Sequence, residues 1–353
     1  MPTPKRQRID PNKIEKNVIP ARLDADARIP GPEVAKPLPP SAKKGSSGRP
    51  GGRPPSAPKI KKAGARDWIG GARIRTLPLS IAPVILGTAA AHTALTPTQW
   101  NWGRALLALA VAVFLQIAVN YANDYSDGIR GTDKYRVGPS RLTGSGAARP
   151  RAVLTVAIAF FALAAAAGVA LVLITGQYWL LAVGAACIIA AYFYTGGRRP
   201  YGYYGLGELF VFIFFGLVAT AGTTYVLLLN VNLYSWLAGA SIGLIACAVL
   251  MVNNIRDLPQ DKLAHKRTLA VLIGNRAARI TFVVLILAPF VILVYFLLLF
   301  PNAYLTYLVL FLALPAVLIT LTAKTPPELV TALKLTSLTA LFFAIVLGFA
   351  LAF

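Results

Sequence analysis

Two short stretches of the sequence place carboxylates beside carboxamides and cationic side chains. Residues 120–134 read N-Y-A-N-D-Y-S-D-G-I-R-G-T-D-K, and residues 253–262 read N-N-I-R-D-L-P-Q-D-K. The acids at helical spacing in them are Asp124, Asp127, Asp257 and Asp261. Residues three or four apart on a helix share a face, so each stretch presents a pair of carboxylates in one direction. Such pairs are typical of sites that bind a divalent cation.

The residue types select the metal. Neighbouring carboxylates repel one another and raise their own pKa values unless a cation lies between them. The chain has only two cysteines and two histidines, too few and too scattered for a site built on sulfur or imidazole. Mg²⁺ is held by one or two carboxylates together with waters and substrate phosphates, which fits these sparse clusters better than a closed calcium cage. We predict Mg²⁺ on the four acids, and a contact from Asp133 is left open.

Basic residues close to the acids predict a phosphate-bearing substrate. They are Arg130, Lys134, Arg141, Arg256, Lys262, Lys266 and Arg267. Lysine and arginine donate charge-assisted hydrogen bonds to phosphate oxygens. Both stretches directly follow apolar runs, which suggests a phosphate head in water and an apolar tail in the bilayer. The alternative is that aspartates and arginines only pair with each other to stabilise loops.

The composition predicts a membrane protein. The chain has 353 residues, of which 56% are hydrophobic and 14% charged, and its mean hydropathy is +0.63. Soluble domains carry about 25% charged residues. Apolar runs near the ~20 residues of a spanning helix lie at about 77–95, 104–122, 152–175, 178–195, 206–229, 235–254, 280–299, 303–322 and 333–353. We predict an all-α, polytopic fold of about nine transmembrane helices.

The basic residues also predict the orientation. Lys and Arg are concentrated in the N-terminal tail and in alternate connections, and the other connections carry almost none, apart from Arg104. Loops rich in Lys and Arg stay in the cytoplasm. The tail and both acidic stretches are therefore predicted to face the cytoplasm.

The first 65 residues differ from the rest. They are rich in Pro, Gly, Ser, Lys and Arg, as in S-A-K-K-G-S-S-G-R-P-G-G-R-P-P-S. A segment of this kind buries too little apolar surface to offset its ordering entropy, so we predict a disordered basic tail at 1–65 and a membrane domain at 66–353. No aromatic residues are interleaved with the charges, which favours contact with anionic lipid over nucleic acid.

The acidic stretches resemble the motifs of a known family. N-D-Y-S-D at 123–127 resembles the N-D-x-x-D motif of the UbiA superfamily of intramembrane prenyltransferases, and D-L-P-Q-D at 257–261 resembles its D-x-x-x-D motif. The resemblance covers about residues 66–353 and implies the UbiA-type fold, in which the helices surround a central cavity capped by cytoplasmic loops. Four stretches are similar to its menaquinone-pathway branch: W-I-G-G-A-R-I-R-T-L-P, N-D-Y-S-D-G-I-R-G-T-D-K, Y-T-G-G-R-R-P-Y-G-Y-Y-G-L-G-E and N-N-I-R-D-L-P-Q-D-K. The general pattern places a third acid at the position of Gly131, and here the acid is Asp133.

The resemblance implies a reaction and a location. It implies Mg²⁺-dependent transfer of a polyprenyl group from its diphosphate to 1,4-dihydroxy-2-naphthoate, with loss of CO₂ and diphosphate, to give demethylmenaquinol. The implied location is the plasma membrane of a bacterium, and the implied partners are the two substrates and membrane lipid. Prenyl chain length and oligomeric state do not follow from the sequence.

The same resemblance assigns roles to residues. Asp124, Asp127, Asp257, Asp261, Lys134 and Arg256 are the predicted catalytic set. The predicted substrate contacts are Asn120, Asn123, Asp133, Arg141, Tyr194, Arg199, Tyr201, Asn253, Asn254, Lys262 and Arg75. Tyr121, Tyr125, Tyr194 and Tyr201 are candidates to shield an allylic cation, and the alternative for each is an aromatic residue at the membrane interface. Glu208 is either polar site lining or a first-turn acid favoured at a helix N-terminus.

Other functions remain open at this stage. The same chemistry on 4-hydroxybenzoate, homogentisate, haem or chlorophyllide is the nearest alternative. A secondary transporter of an anionic solute is a different class, but transporters place polar groups near the bilayer midplane, where these helices carry almost no charge. A membrane scaffold would leave the paired acids unexplained.

Overall fold

In the computed structural model, residues 62–94, 100–132 and 141–353 are described. Within these ranges the chain is helical and contains no strand. The predicted tail at 1–65, apart from its last four residues, lies outside them, as do Asp133 and Lys134. The helices are α1 Ala65–Gly71, α2 Pro78–His92, α3 Trp102–Arg130, α4 Pro150–Thr175, α5 Leu180–Phe193, α6 Gly207–Val211, α7 Ala219–Leu228, α8 Leu233–Leu263, α9 Leu269–Leu297, α10 Leu310–Thr322 and α11 Pro326–Ala352.

Shorter turns link several of these helices into longer spans. A π-helical segment, Phe212–Val218, joins α6 to α7, and a 3₁₀ segment, Pro301–Val309, leads into α10. Seven helices in the described ranges are long and apolar enough to cross a membrane, and an eighth span results if Ala65–Thr76 and Pro78–His92, which meet at 46°, are taken together. The multi-pass, all-helical prediction is confirmed.

The count of about nine is approximate because α5 is short. Leu180–Phe193 has 14 residues, which at 1.5 Å per residue extends about 21 Å, less than the ~30 Å of a bilayer core. It corresponds to the predicted segment at 178–195. None of its residues is buried.

The helices that carry the acids are longer than predicted. Apolar runs were predicted to end at residues 122 and 254, yet α3 continues to Arg130 and α8 to Leu263. The polar side chains do not stop either helix, because protein groups rather than lipid surround them. Asp124, Asp127, Asp257 and Asp261 therefore lie on the last turns of helices, at most 9% exposed.

Helix α8 is the most enclosed span. Of its apolar stretch 72% is buried, against 22% for α4, whose remaining surface is left for lipid. Close packing beside α8 depends on small residues: a Cβ on Gly216 would lie 2.6 Å from the Cα of Gly243. Small residues of this kind let helix backbones approach in membranes. The main core, which includes Met251, Phe282 and Phe343, extends from α8 to α2, α9 and α11.

Candidate active site

A cavity of about 610 Å³ opens between the helices. Its walls are largely apolar along most of its length; they include Val111, Leu115, Leu171, Ile188, Phe214 and Val249. Its lining extends from Asp127 and Asp261, on the last turns of α3 and α8, to Ala108 near the start of α3 and Val226 near the end of α7. The shape suits a long apolar chain with a charged head.

Asp127 is the centre of the polar end. Its Oδ2 lies 3.1 Å from Nη1 of Arg141, and its Oδ1 lies 3.2 Å from Nζ of Lys266. The Tyr203 hydroxyl donates to the same Oδ1 at 2.7 Å. Asp127 is 2% exposed, so a single buried carboxylate holds two cations and one phenol at the mouth of the cavity.

The acids of α8 face the same cavity. Arg256 donates from Nε to Oδ1 of Asp257 and from Nη2 to its Oδ2, both at 2.7 Å. The Arg256 guanidinium also donates to Oδ1 of Asn253 at 2.7 Å. Asp261 accepts from the Thr268 hydroxyl at 3.5 Å. Asp127, Asp257 and Asp261 all line the cavity, so the structure brings three of the four predicted acids together.

Predicted asparagines of α3 and α8 line the cavity beside these acids. The side-chain amide of Asn120 donates to the Ala72 carbonyl at 2.9 Å, and the Asn123 carbonyl oxygen accepts from the Thr195 hydroxyl at 2.6 Å. Asn254 donates to Oε1 of Glu208 at 3.0 Å. These bonds connect the two acid-bearing helices to neighbouring segments and fix their rotation around the site.

Asp124 is placed differently from the prediction. It does not line the cavity. Its Oδ2 accepts the backbone amide of Leu142 and its Oδ1 that of Thr143, both at 2.9 Å. Both carboxylate oxygens are therefore occupied by the loop that follows α3.

Three predicted cations also lie away from the cavity. Arg75, Arg199 and Lys262 are exposed and do not line it. Arg256 does not line it either and contacts it through Asp257. Positive charge at the cavity comes instead from Arg73, Arg141 and Lys266.

Of the four predicted tyrosines, two line the cavity. Tyr194 and Tyr201 do so, with ring centroids 5.5 Å apart. The Tyr121 hydroxyl donates instead to the Trp68 carbonyl at 2.5 Å, and Tyr125 packs in the same apolar cluster. A different tyrosine, Tyr203, lies at the site, and no sequence signal separated it from its neighbours.

Tyr203 connects several parts of the polar end. The Lys266 Nζ lies 4.6 Å from the centroid of its ring, and its carbonyl accepts the Arg267 amide at 3.0 Å. Burial, and then the charge of Asp127, raise the pKa of the Tyr203 phenol. The hydroxyl therefore stays protonated at neutral pH and is available as a donor to Asp127.

Comparison with known proteins places this geometry in a family. Residues 80–328 match the UbiA prenyltransferase family. The chain belongs to that family. As a UbiA member it is a membrane-bound prenyltransferase, which confirms the family resemblance seen in its motifs.

Relatives within the UbiA family share a name. The chain is 54% identical over 218 residues to the 1,4-dihydroxy-2-naphthoate octaprenyltransferase of Mycobacterium tuberculosis, covering 61% of this chain and 72% of that protein. It is 38% identical over 223 residues to the protein of the same name from Escherichia coli, covering 60% and 70%.

Solved structures support the UbiA fold. A UbiA homolog from Aeropyrum pernix matches with a TM-score of 0.58 and 19% identity, over 79% of this chain and 97% of that one. A UbiA homolog from Archaeoglobus fulgidus, bound to DMAPP and Mg²⁺, matches with a TM-score of 0.55 and 18% identity, over 81% and 99%.

The donor set at the cavity fits magnesium shared with a substrate. Among the described residues no three Asp, Glu, His or Cys side chains are grouped closely enough to hold a metal by themselves. Asp127, Asp257 and Asp261 nevertheless present only oxygen donors to one cavity. Mg²⁺ prefers oxygen ligands and commonly takes the rest of its shell from phosphates and water. The arrangement suits an ion that arrives with a diphosphate.

Proposed function

We propose that this chain transfers a polyprenyl group from polyprenyl diphosphate to 1,4-dihydroxy-2-naphthoate. The C–O bond to diphosphate breaks, a C–C bond to the naphthalene ring forms, and the ring carboxylate leaves as CO₂, which gives demethylmenaquinol. The names of its relatives support this acceptor. Menaquinone biosynthesis is the pathway that this product serves.

The observation that carries the proposal is the polarity of the cavity. Three carboxylates and three cations lie at one end, and apolar walls continue toward the opposite membrane face. A polyprenyl diphosphate has the same division between a polyanionic head and an apolar tail. Carboxylates alone would repel the head, so the site requires cations between them.

Magnesium meets that requirement. We assign it to Asp127, Asp257 and Asp261, which line the cavity, with Asp124 left outside the set because it does not line the cavity and its oxygens accept backbone amides. When bound, the ion neutralises diphosphate oxygens and makes diphosphate a better leaving group.

The basic side chains bind the diphosphate head and stabilise the negative charge that develops on it as it leaves. Arg141 and Lys266 flank Asp127 from opposite oxygens, so their N–H groups lie where phosphate oxygens enter. Charge-assisted hydrogen bonds of this kind strengthen as negative charge develops on the leaving group. Arg256 does not touch the head in this proposal and orients Asp257 and Asn253.

Aromatic side chains protect the cationic end of the prenyl chain. Tyr194 and Tyr201 line the cavity where the head meets the apolar walls. Their ring faces stabilise positive charge and exclude water. Burial raises the pKa of both phenols, so neither is ionised at neutral pH.

Arg73 is the proposed partner of the acceptor carboxylate. Arg75 and Arg199 were predicted as substrate contacts, but both are exposed and do not line the cavity. Arg73 lines it, in the turn between α1 and α2. An arginine binds a planar carboxylate through two parallel hydrogen bonds.

The location follows from the charge pattern. The acid-bearing ends of α3 and α8 lead into connections that are rich in Lys and Arg. The positive-inside rule assigns such connections to the cytoplasm. We propose a multi-pass protein of a bacterial plasma membrane with its N-terminus and site facing the cytoplasm.

The decisive experiment is a reconstituted assay. Purified protein is incubated with Mg²⁺, an octaprenyl diphosphate and dihydroxynaphthoate, and the product is identified by mass. We expect octaprenylated, decarboxylated quinol, no product with EDTA, and recovery on adding Mg²⁺. Parallel reactions with 4-hydroxybenzoate and homogentisate test the acceptor. A prenylated product from either of these, with none from naphthoate, would refute the proposed acceptor.

A further inference from the structure

We infer that Asp124 positions the loop at residues 141–146, here called the arginine loop, and is not a metal ligand. The inference assigns separate tasks to the two acids of the first motif: Asp127 faces the cavity, and Asp124 holds the loop that brings Arg141 to Asp127. Its activity readout rests on the proposed function, but its structural readout does not.

The contacts of Asp124 occupy both of its oxygens. The amides of Leu142 and Thr143 donate to separate oxygens at 2.9 Å each. Asp124 is 3% exposed. Hydrogen bonds from consecutive amides to one buried carboxylate are charge-assisted and among the stronger ones in proteins. Metal binding at Asp124 would have to break them and leave buried amides without an acceptor, which is costly.

The same loop delivers a cation to the cavity. Arg141 directly precedes the amides that Asp124 holds, and its Nη1 lies 3.1 Å from Oδ2 of Asp127. Leu142 is 2% exposed and packs with Tyr121 and Ala122 of α3. The side chain of Leu142 therefore anchors the loop on one side of the backbone, while Asp124 anchors its amides.

A glycine on α3 makes the close approach possible. A Cβ on Gly128, one turn after Asp124, would lie 2.4 Å from Cγ2 and 2.5 Å from Cβ of Thr143, and 3.1 Å from the Gly144 amide nitrogen. The loop thus packs directly against the backbone of α3. Gly128→Ala displaces the loop without changing any carboxylate, which makes it a second and independent way to test the same idea.

The structural test measures hydrogen exchange in metal-free protein. Peptides that cover residues 141–146 are followed by mass spectrometry in wild type, Asp124→Asn, Gly128→Ala and the control Asp67→Asn. Asp67 also accepts a backbone amide, that of Gly64 at 2.8 Å, but at an exposed site. We expect exchange in the loop to rise at least about tenfold in both Asp124→Asn and Gly128→Ala. The first variant loses the charge of the carboxylate that accepts the loop amides, and the second fills the space in which the loop packs.

The functional test separates a loop role from a metal role. We expect Asp124→Asn and Gly128→Ala to lower transfer by a similar factor, about 10- to 100-fold, because Arg141 is misplaced by an ångström or so. Neither should change the Mg²⁺ concentration for half-maximal activity, whereas Asp127→Asn should raise it.

Two results would overturn the inference. One is unchanged loop exchange in Asp124→Asn; the other is a raised Mg²⁺ requirement in Asp124→Asn but not in Gly128→Ala. Failure of wild type to prenylate naphthoate would reject the proposed acceptor and leave the exchange result standing.

Discussion

The two acid-bearing helix ends are held in different ways. On α3, Asp127 is bound by Arg141, Tyr203 and Lys266, which come from three other segments of the chain. On α8, Asp257 is bound by Arg256, its neighbour in sequence. Among the described residues, the Asp127 carboxylate at the end of α3 is therefore held by three separate segments, whereas Asp257 at the end of α8 is held by its sequence neighbour.

This difference predicts different consequences of similar substitutions. At the end of α3, removing a carboxylate takes away the partner of two buried cations and weakens the contacts between segments. At the end of α8, a removed carboxylate leaves one cation, which keeps its bond to Asn253. Loss of activity and of stability is expected at both ends, and the larger loss of stability at the first.

The largest effects are expected for Asp127→Asn and Asp257→Asn. Both should lower kcat by at least about 100-fold, because each removes a charge that acts on the leaving group. Each also breaks a buried ion pair, which costs about 3 kcal/mol, and Asp127→Asn should be the more destabilising of the two because Asp127 is bound by two cations and a phenol. Transfer assays and thermal unfolding in detergent measure the two quantities.

The matched control for this pair is Glu328→Gln. Glu328 is an acid in the first turn of α11, where it accepts backbone amides and does not line the cavity. It should leave kcat within about twofold of wild type. Equal destabilisation by Asp127→Asn and Asp257→Asn would contradict the contrast between assembled and local helix ends.

The same contrast explains how much was predictable from the sequence. The helical class, the apolar segments and the aspartate pairs follow from composition and spacing, which are local properties. The partnership of Arg256 with Asp257 is also local. Asp127, Asp257 and Asp261 line one cavity, and the sequence predicted that the two motifs would face each other because both end apolar helices on the side of the basic connections.

Features that depend on distant segments were not predictable in this way. Arg73 and Arg75 both lie in the lead-in to α2, and only the turn of the chain decides that Arg73 reaches the cavity. Tyr203 and Tyr204 are adjacent, yet only the first meets Asp127. Spacing within the motif could not show that Asp127 faces the cavity and Asp124 does not. The loop amides that bind Asp124 belong to Leu142 and Thr143, which lie outside the motif.

A smaller effect is expected from removing one cation at the assembled end. Lys266→Met should raise KM for the prenyl diphosphate about tenfold, because a charge-assisted hydrogen bond worth about 1.5–3 kcal/mol is lost. Lys262→Met is the matched control, since Lys262 is exposed and does not line the cavity; its KM should stay within about twofold. Equal KM changes in the two variants would mean that net charge near the site, and not the contact with Asp127, binds the head.

The smallest effect is expected at Tyr203. Tyr203→Phe removes the 2.7 Å hydrogen bond to Asp127 but keeps the ring under Lys266. We expect kcat to fall about three- to tenfold, in keeping with one hydrogen bond to a charged acceptor. Tyr204→Phe, at an exposed neighbouring ring, should have no measurable effect on kcat.

The double variant Tyr203→Phe/Lys266→Met shows whether these residues act through one carboxylate. Both contact Oδ1 of Asp127, so the loss in kcat/KM should be smaller than the product of the two single losses, with a coupling of about 0.5–3 kcal/mol. Independent, multiplicative losses would mean that Tyr203 and Lys266 serve the substrate separately. In that case the end of α3 would not be the single connected assembly that distinguishes it from the end of α8.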